Sequence, residues 1–192
     1  MKPFEYVMVI FSVIIGLTLT QFANVVSFMI KDYDVSKLHF PYICLVILGC
    51  ITCLNHWGAL YPLRNRPSWN MATTGLLFLA GLLLYSACIV ATPEDVGFDH
   101  NYEALFHRVI AKTLAVMVVF VIVLLIDSVM LKRGRSLSWY LLMVSYIVLM
   151  ISGVVIQNTI YRDVLVVVML GLQGVNIALN KFTVSEETMK RI

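Results

Sequence analysis

Several side chains able to do chemistry stand near the ends of long apolar runs: Glu5, Asn55, His56, Asn70, Asp127, Asn176 and Asn180. If the chain crosses a membrane with its N-terminus inside, all of them fall towards the cytoplasmic leaflet. Two carboxylates and an imidazole at similar depth offer a cation site or a coupled titration. The plainer account is a set of edge residues meeting headgroups and water. A second group, Asp95, Asp99, His100, Glu103, His107, Arg108 and Lys112, would lie on the opposite side. Carboxylate and imidazole suit a divalent metal, yet no ligand spacing here is diagnostic, and a solvated loop is the simpler explanation.

The run Cys50-Ile51-Thr52-Cys53-Leu54-Asn55-His56 invites a zinc or redox reading. On a straight helix its two cysteines and histidine spread over about 120°, with Cys50 and His56 roughly 9 Å apart along the axis. Free cysteine is commonly a small buried apolar residue, which accounts for these two more simply. Haem between helices needs paired axial ligands at matching depth. His39 and His107 match in depth, whereas His56 has no inner histidine partner. GxSxG, HExxH, Walker and Gly-rich dinucleotide motifs are all missing. Asp127 and Asp163 lie near span ends on opposite sides, so they do not make the pair of an intramembrane aspartyl protease. The expectation is a protein without catalytic, cofactor-binding or metal-ligating residues, and not an enzyme.

The elements that must position these residues follow from composition. The chain has 192 residues, 60% hydrophobic and only 13% charged, where a soluble domain carries about 25% charged residues. Six spans reach the roughly 20 residues needed to cross a bilayer: about 3–30, 39–62, 70–91, 108–131, 138–158 and 161–180. The connections are too short to hold a soluble domain. A single all-α transmembrane bundle over 1–192 is therefore expected. The net charge of +3 sits in small groups between apolar spans, so it reports topology rather than nucleic-acid binding. With the N-terminus inside, nine Lys and Arg residues fall in the cytoplasm and five outside. This favours both termini cytoplasmic. Cys44, Cys50, Cys53 and Cys88 all lie within spans, against a secreted disulfide framework. The first apolar run exceeds signal-peptide length and lacks a small-residue cleavage site, so it reads as a retained helix.

That first helix carries a polar stripe. Glu5, Ser12, Gly16, Thr20, Asn24 and Ser27 fall within an arc of roughly 120° at 100° per residue. Hydrocarbon offers polar groups no hydrogen-bond partner, so the stripe is expected to face other helices supplied by the rest of the chain. It reads as packing contacts or as the lining of a water-filled path. Elsewhere, Gly75 and Gly81 read as points of close helix approach, and Gly171, Gly174 and Ala178 as one small-residue face. No span sets a charged residue near its middle, which weakens a proton-coupled transporter reading.

The opening Phe4-Glu5-Tyr6-Val7-Met8-Val9 and Ser12-Val13-Ile14-Ile15-Gly16-Leu17-Thr18-Leu19-Thr20, with His56-Trp57-Gly58-Ala59-Leu60-Tyr61 and Asn101-Tyr102-Glu103, resembles small uncharacterised bacterial multi-pass proteins. The resemblance implies a bacterial inner-membrane setting and transfers no functional residues.

Three functions are therefore in view. The first is a non-enzymatic membrane subunit or effector acting as a homo-oligomer or with another membrane protein. The second is an ion or small-solute conduit lined by the first-helix stripe. The third is a membrane redox protein using haem or metal. In each case the surrounding partner is the lipid bilayer, with no nucleic acid.

Overall fold

In hydrocarbon, a backbone segment meets its own hydrogen-bonding needs only by closing the ladder within itself. The long apolar runs accordingly become helices. The computed structural model describes residues 3–31, 38–60, 63, 71–92, 101–130 and 137–179. Its elements are α1 (Pro3–Lys31), α2 (Phe40–Gly58), α3 (Met71–Ala91), α4 (Tyr102–Met130), α5 (Leu137–Val155) and α6 (Thr159–Leu179). All six are long and apolar enough to cross a membrane. No strand occurs among the described residues.

Local chemistry sets the helix starts. α4 begins six residues before the expected span, at Tyr102, because the amphipathic run-in and the apolar stretch form one helix. Asn101 caps it, its Oδ1 accepting from the backbone N–H of Glu103 at 3.0 Å and of Ala104 at 3.2 Å. Asn158 does the same for α6, accepting from the N–H of Tyr161 at 3.0 Å. α2 opens differently. Its N-cap is His39, Pro41 stands in the first turn, and the His39 side chain makes no cap hydrogen bond. That imidazole is left available for other helices.

The helices pack as a closed ring in the order α1, α3, α4, α5, α6, α2, with α2 and α4 also touching across it. Glycines on α2, α3 and α5 let neighbours close in. A Cβ on Gly49 would run into the ring of Phe22 from α1, and one on Gly81 would stand 3.0 Å from the ring of Phe11. A Cβ on Gly153 would overlap Leu165 of α6 and Leu114 of α4. Polar cross-links supplement this packing. The Tyr42 hydroxyl donates to the Ala91 carbonyl at 2.9 Å, tying α2 to the end of α3. The Tyr146 hydroxyl lies 3.1 Å from both the Met169 carbonyl and Gln173 Oε1, joining α5 to α6. Gln173, a sequence candidate for lining a path, is buried in this contact.

The inner face of α1 is not the polar one. Its buried residues are Phe4, Val7, Phe11, Ile15, Thr18, Phe22, Val25 and Met29. At 100° per residue they occupy an arc of about 80°, centred on the side opposite the stripe. Glu5, Ser12, Gly16, Thr20, Asn24 and Ser27 are all exposed. The expectation that the rest of this chain covers the stripe is corrected. The physical reason is shape: rings at Phe11 and Phe22 need the recesses at Gly81 and Gly49, and only the apolar face offers them.

Candidate functional site

Two features of the bundle stand out chemically. One is the outward face of α1. Thr20 satisfies its hydroxyl within its own helix, donating to the Gly16 carbonyl at 2.8 Å. Asn24 has a longer polar group and stands exposed in the second half of the span. Among the described residues, no neighbouring helix comes within 4 Å of the place a Gly16 Cβ would take. Exposed Val9 and Val13 share the same arc, and exposed Leu17 and Val26 flank it. Polar and small residues thus alternate with valines on this outward face.

The other feature is at the end of the bundle where α2, α4 and α6 begin. In an alternating bundle the even-numbered helices all start at the same end, and three of their residues converge there. His39 Nε2 lies 3.3 Å from Asp163 Oδ1, and His107 Nε2 lies 3.8 Å from the same oxygen. The two imidazoles are edge-on to one another with centroids 5.7 Å apart. Phe106 packs 5.1 Å from each ring. One donor atom from each of the three residues lies within 4.8 Å of the others. Both ring nitrogens of His107 are buried without a hydrogen-bond partner.

Arg162, the chain neighbour of Asp163, does not compensate that carboxylate. Its Nε donates to the carbonyls of Gly153 at 3.0 Å and Ile156 at 3.1 Å, and Nη2 reaches that of Val154 at 3.5 Å. These groups close the end of α5, where a helix leaves its last carbonyls unpaired. Asp163, just past the first turn of α6, turns to the histidines.

The other sequence candidates take various positions in the bundle. His56 is buried with its ring edge-on to Phe11 and Phe120, at 5.3 and 5.4 Å. Asp127 is buried, Asn55 and Asn176 are partly buried, and Glu5 is exposed. Asn70 and Asn180 lie outside the described residues, as do Asp95, Asp99 and His100. Glu103, Arg108 and Lys112 point outward from α4. Among the described residues, His39, His107 and Asp163 are the one set of three donors near enough to share an ion. Glu5, His56 and Asp127 do not form such a set. Nor do Cys50, Cys53 and His56. All four cysteines are free thiols. Gly81 is a close helix contact as expected, whereas Gly75, Gly171 and Gly174 have no neighbour within 4 Å of an added Cβ among the described residues.

Sequence reasoning paired His39 with His107 by depth and missed Asp163. The signal was parity: the starts of the second, fourth and sixth spans share one end, so an acid in the first turns of the sixth belongs beside the two histidines.

The fold defines a multi-pass helical membrane protein. No family model matches the chain, and no curated protein or solved structure matches it.

Proposed function

We propose that the chain is a non-enzymatic subunit of a membrane assembly, a homo-oligomer joined through the polar face of α1. The observation carrying this reading is the outward exposure of Ser12, Gly16, Thr20, Asn24 and Ser27 along a helix long enough to cross a membrane. Lipid tails cannot satisfy the Asn24 carboxamide. A carboxamide both donates and accepts, so the same group on a second copy answers it about a two-fold axis. Gly16, with Ser12 and Thr20 one helical turn to either side, lets a second backbone approach. Another membrane protein with a donor and an acceptor at that depth is the alternative occupant. The Lys and Arg distribution supports cytoplasmic termini, and the resemblance noted above supports a bacterial inner membrane.

A conduit takes one form on this arrangement: the stripe faces away from its own bundle, so a path lined by it runs between chains. Glu5→Gln or Thr20→Val would then alter ion flux through liposomes.

Cysteine cross-linking in intact membranes tests the association. With the four native cysteines replaced by alanine, Thr20→Cys and Asn24→Cys are expected to give disulfide-linked dimers. Val148→Cys, on the exposed face of α5, is expected to stay monomeric. Equal cross-linking at all three positions, or none at any, overturns the reading.

A further inference from the structure

We infer that His39, His107 and Asp163 form a binding site for a divalent transition-metal ion, zinc foremost, at the end of the bundle where α2, α4 and α6 begin. This goes beyond the association through α1 and does not depend on it.

The donor set comes first. Two imidazoles and a carboxylate suit zinc and its first-row neighbours, whereas calcium and magnesium prefer oxygen ligands throughout. Bonds of about 2.0–2.2 Å to nitrogen and oxygen place tetrahedral ligands roughly 3.3 Å apart. The His39–Asp163 pair already stands at 3.3 Å and the His107–Asp163 pair at 3.8 Å. All three donor atoms lie within 4.8 Å of one another, so side-chain rotation closes the remainder.

The surroundings favour a cation independently of the spacing. A buried polar atom without a partner is costly, and an ion or water is a standard reason for finding one in a native fold. Both ring nitrogens of His107 are in that condition. The nearest fixed positive charge along the chain, Arg162, is committed to the carbonyls ending α5. The Asp163 carboxylate is therefore directed to the two histidines. The side chains retain 13%, 18% and 28% of their surface for His39, His107 and Asp163, so an ion has a way in. Three protein ligands leave a coordination position for water or a further donor.

The donors also come from three helices that are not consecutive. An ion held there fastens α2, α4 and α6 together at one end, and the apo protein is expected to melt at a lower temperature than the loaded one.

Cobalt(II) is the probe. The full chain, freed of any affinity tag, stripped with chelator and held in detergent, is titrated with Co²⁺ and followed by visible absorbance. One equivalent per chain is expected to bind with d–d bands that Zn²⁺ then abolishes. Loss of even an outer partner costs a metal site tenfold to a hundredfold, so His107→Gln and Asp163→Asn should each weaken Co²⁺ binding about tenfold or more. His56→Gln, about 25 Å from His39 along α2 at 1.5 Å per residue, should leave it unchanged. Should these variants misfold, the wild-type chain gives the answer alone. Zn²⁺ is then expected to shield His39 and His107 from diethylpyrocarbonate, read by peptide mass spectrometry. Absence of stoichiometric Co²⁺ binding by the wild type overturns the site. So does binding that survives the triple variant His39→Gln/His107→Gln/Asp163→Asn, or modification of both histidines unaffected by Zn²⁺.

Discussion

Arg162 and Asp163 are neighbours in α6 that serve different helices. The guanidinium crosses to α5 and takes the Gly153 and Ile156 carbonyls, while the carboxylate stands 3.3 Å from His39 at the start of α2. One step along the chain thus joins the α5–α6 corner to the cluster between α2, α4 and α6.

Arg162→Met should destabilise the bundle. It strips a charged donor from carbonyls at the end of α5, at a cost of about 1–3 kcal/mol. Lysine should restore little, because an ammonium group cannot present the same planar fork of donors. Thermal melting in detergent checks both variants; a lysine variant as stable as wild type would contradict the geometry.

The glycines divide into two groups by what surrounds them. Gly49→Ala and Gly153→Ala push a methyl group into Phe22 and into Leu165 with Leu114, a cost of about 1–3 kcal/mol by overpacking. Gly171→Ala meets nothing among the described residues, so its monomer stability should stay within about 0.5 kcal/mol of wild type. Melting of the three side by side measures the contrast.

Tyr146→Phe removes the hydroxyl shared between Met169 and Gln173. Hydrogen bonds between membrane helices average about 0.6 kcal/mol, and this buried one should cost about 1 kcal/mol. Retained melting temperature would mean that Gln173 finds another partner.

Cobalt binding should depend on pH in one direction. Imidazole must be unprotonated to bind a metal, so protons compete with the ion. Affinity should fall on acidification and recover on return. A titration repeated at several pH values reads this; affinity rising on acidification would exclude histidine ligation.

The six helices were legible because apolar length is a strong constraint in a bilayer, and each expected span has its helix. The inward face of α1 was not legible. Both of its long faces carry apolar residues, so polarity alone pointed the stripe inward. The decision belonged instead to the fit of Phe11 and Phe22 against glycines on α3 and α2. Gly81 could be read as a close contact, yet Gly75 could not be distinguished from it without knowing its neighbours. The triad was half legible. His39 and His107 shared a depth, but joining Asp163 to them required the contact between α2 and α6, elements separated by three others in sequence.

The most direct test of the central claim is a subunit count by native mass spectrometry of the chain released from lipid nanodiscs. An oligomer is expected for the wild type and monomers for Gly16→Leu/Asn24→Leu, with the melting of the helical bundle nearly unchanged because both positions face outward. A wild-type chain that is monomeric in lipid, or a double variant that assembles as wild type does, would contradict that claim.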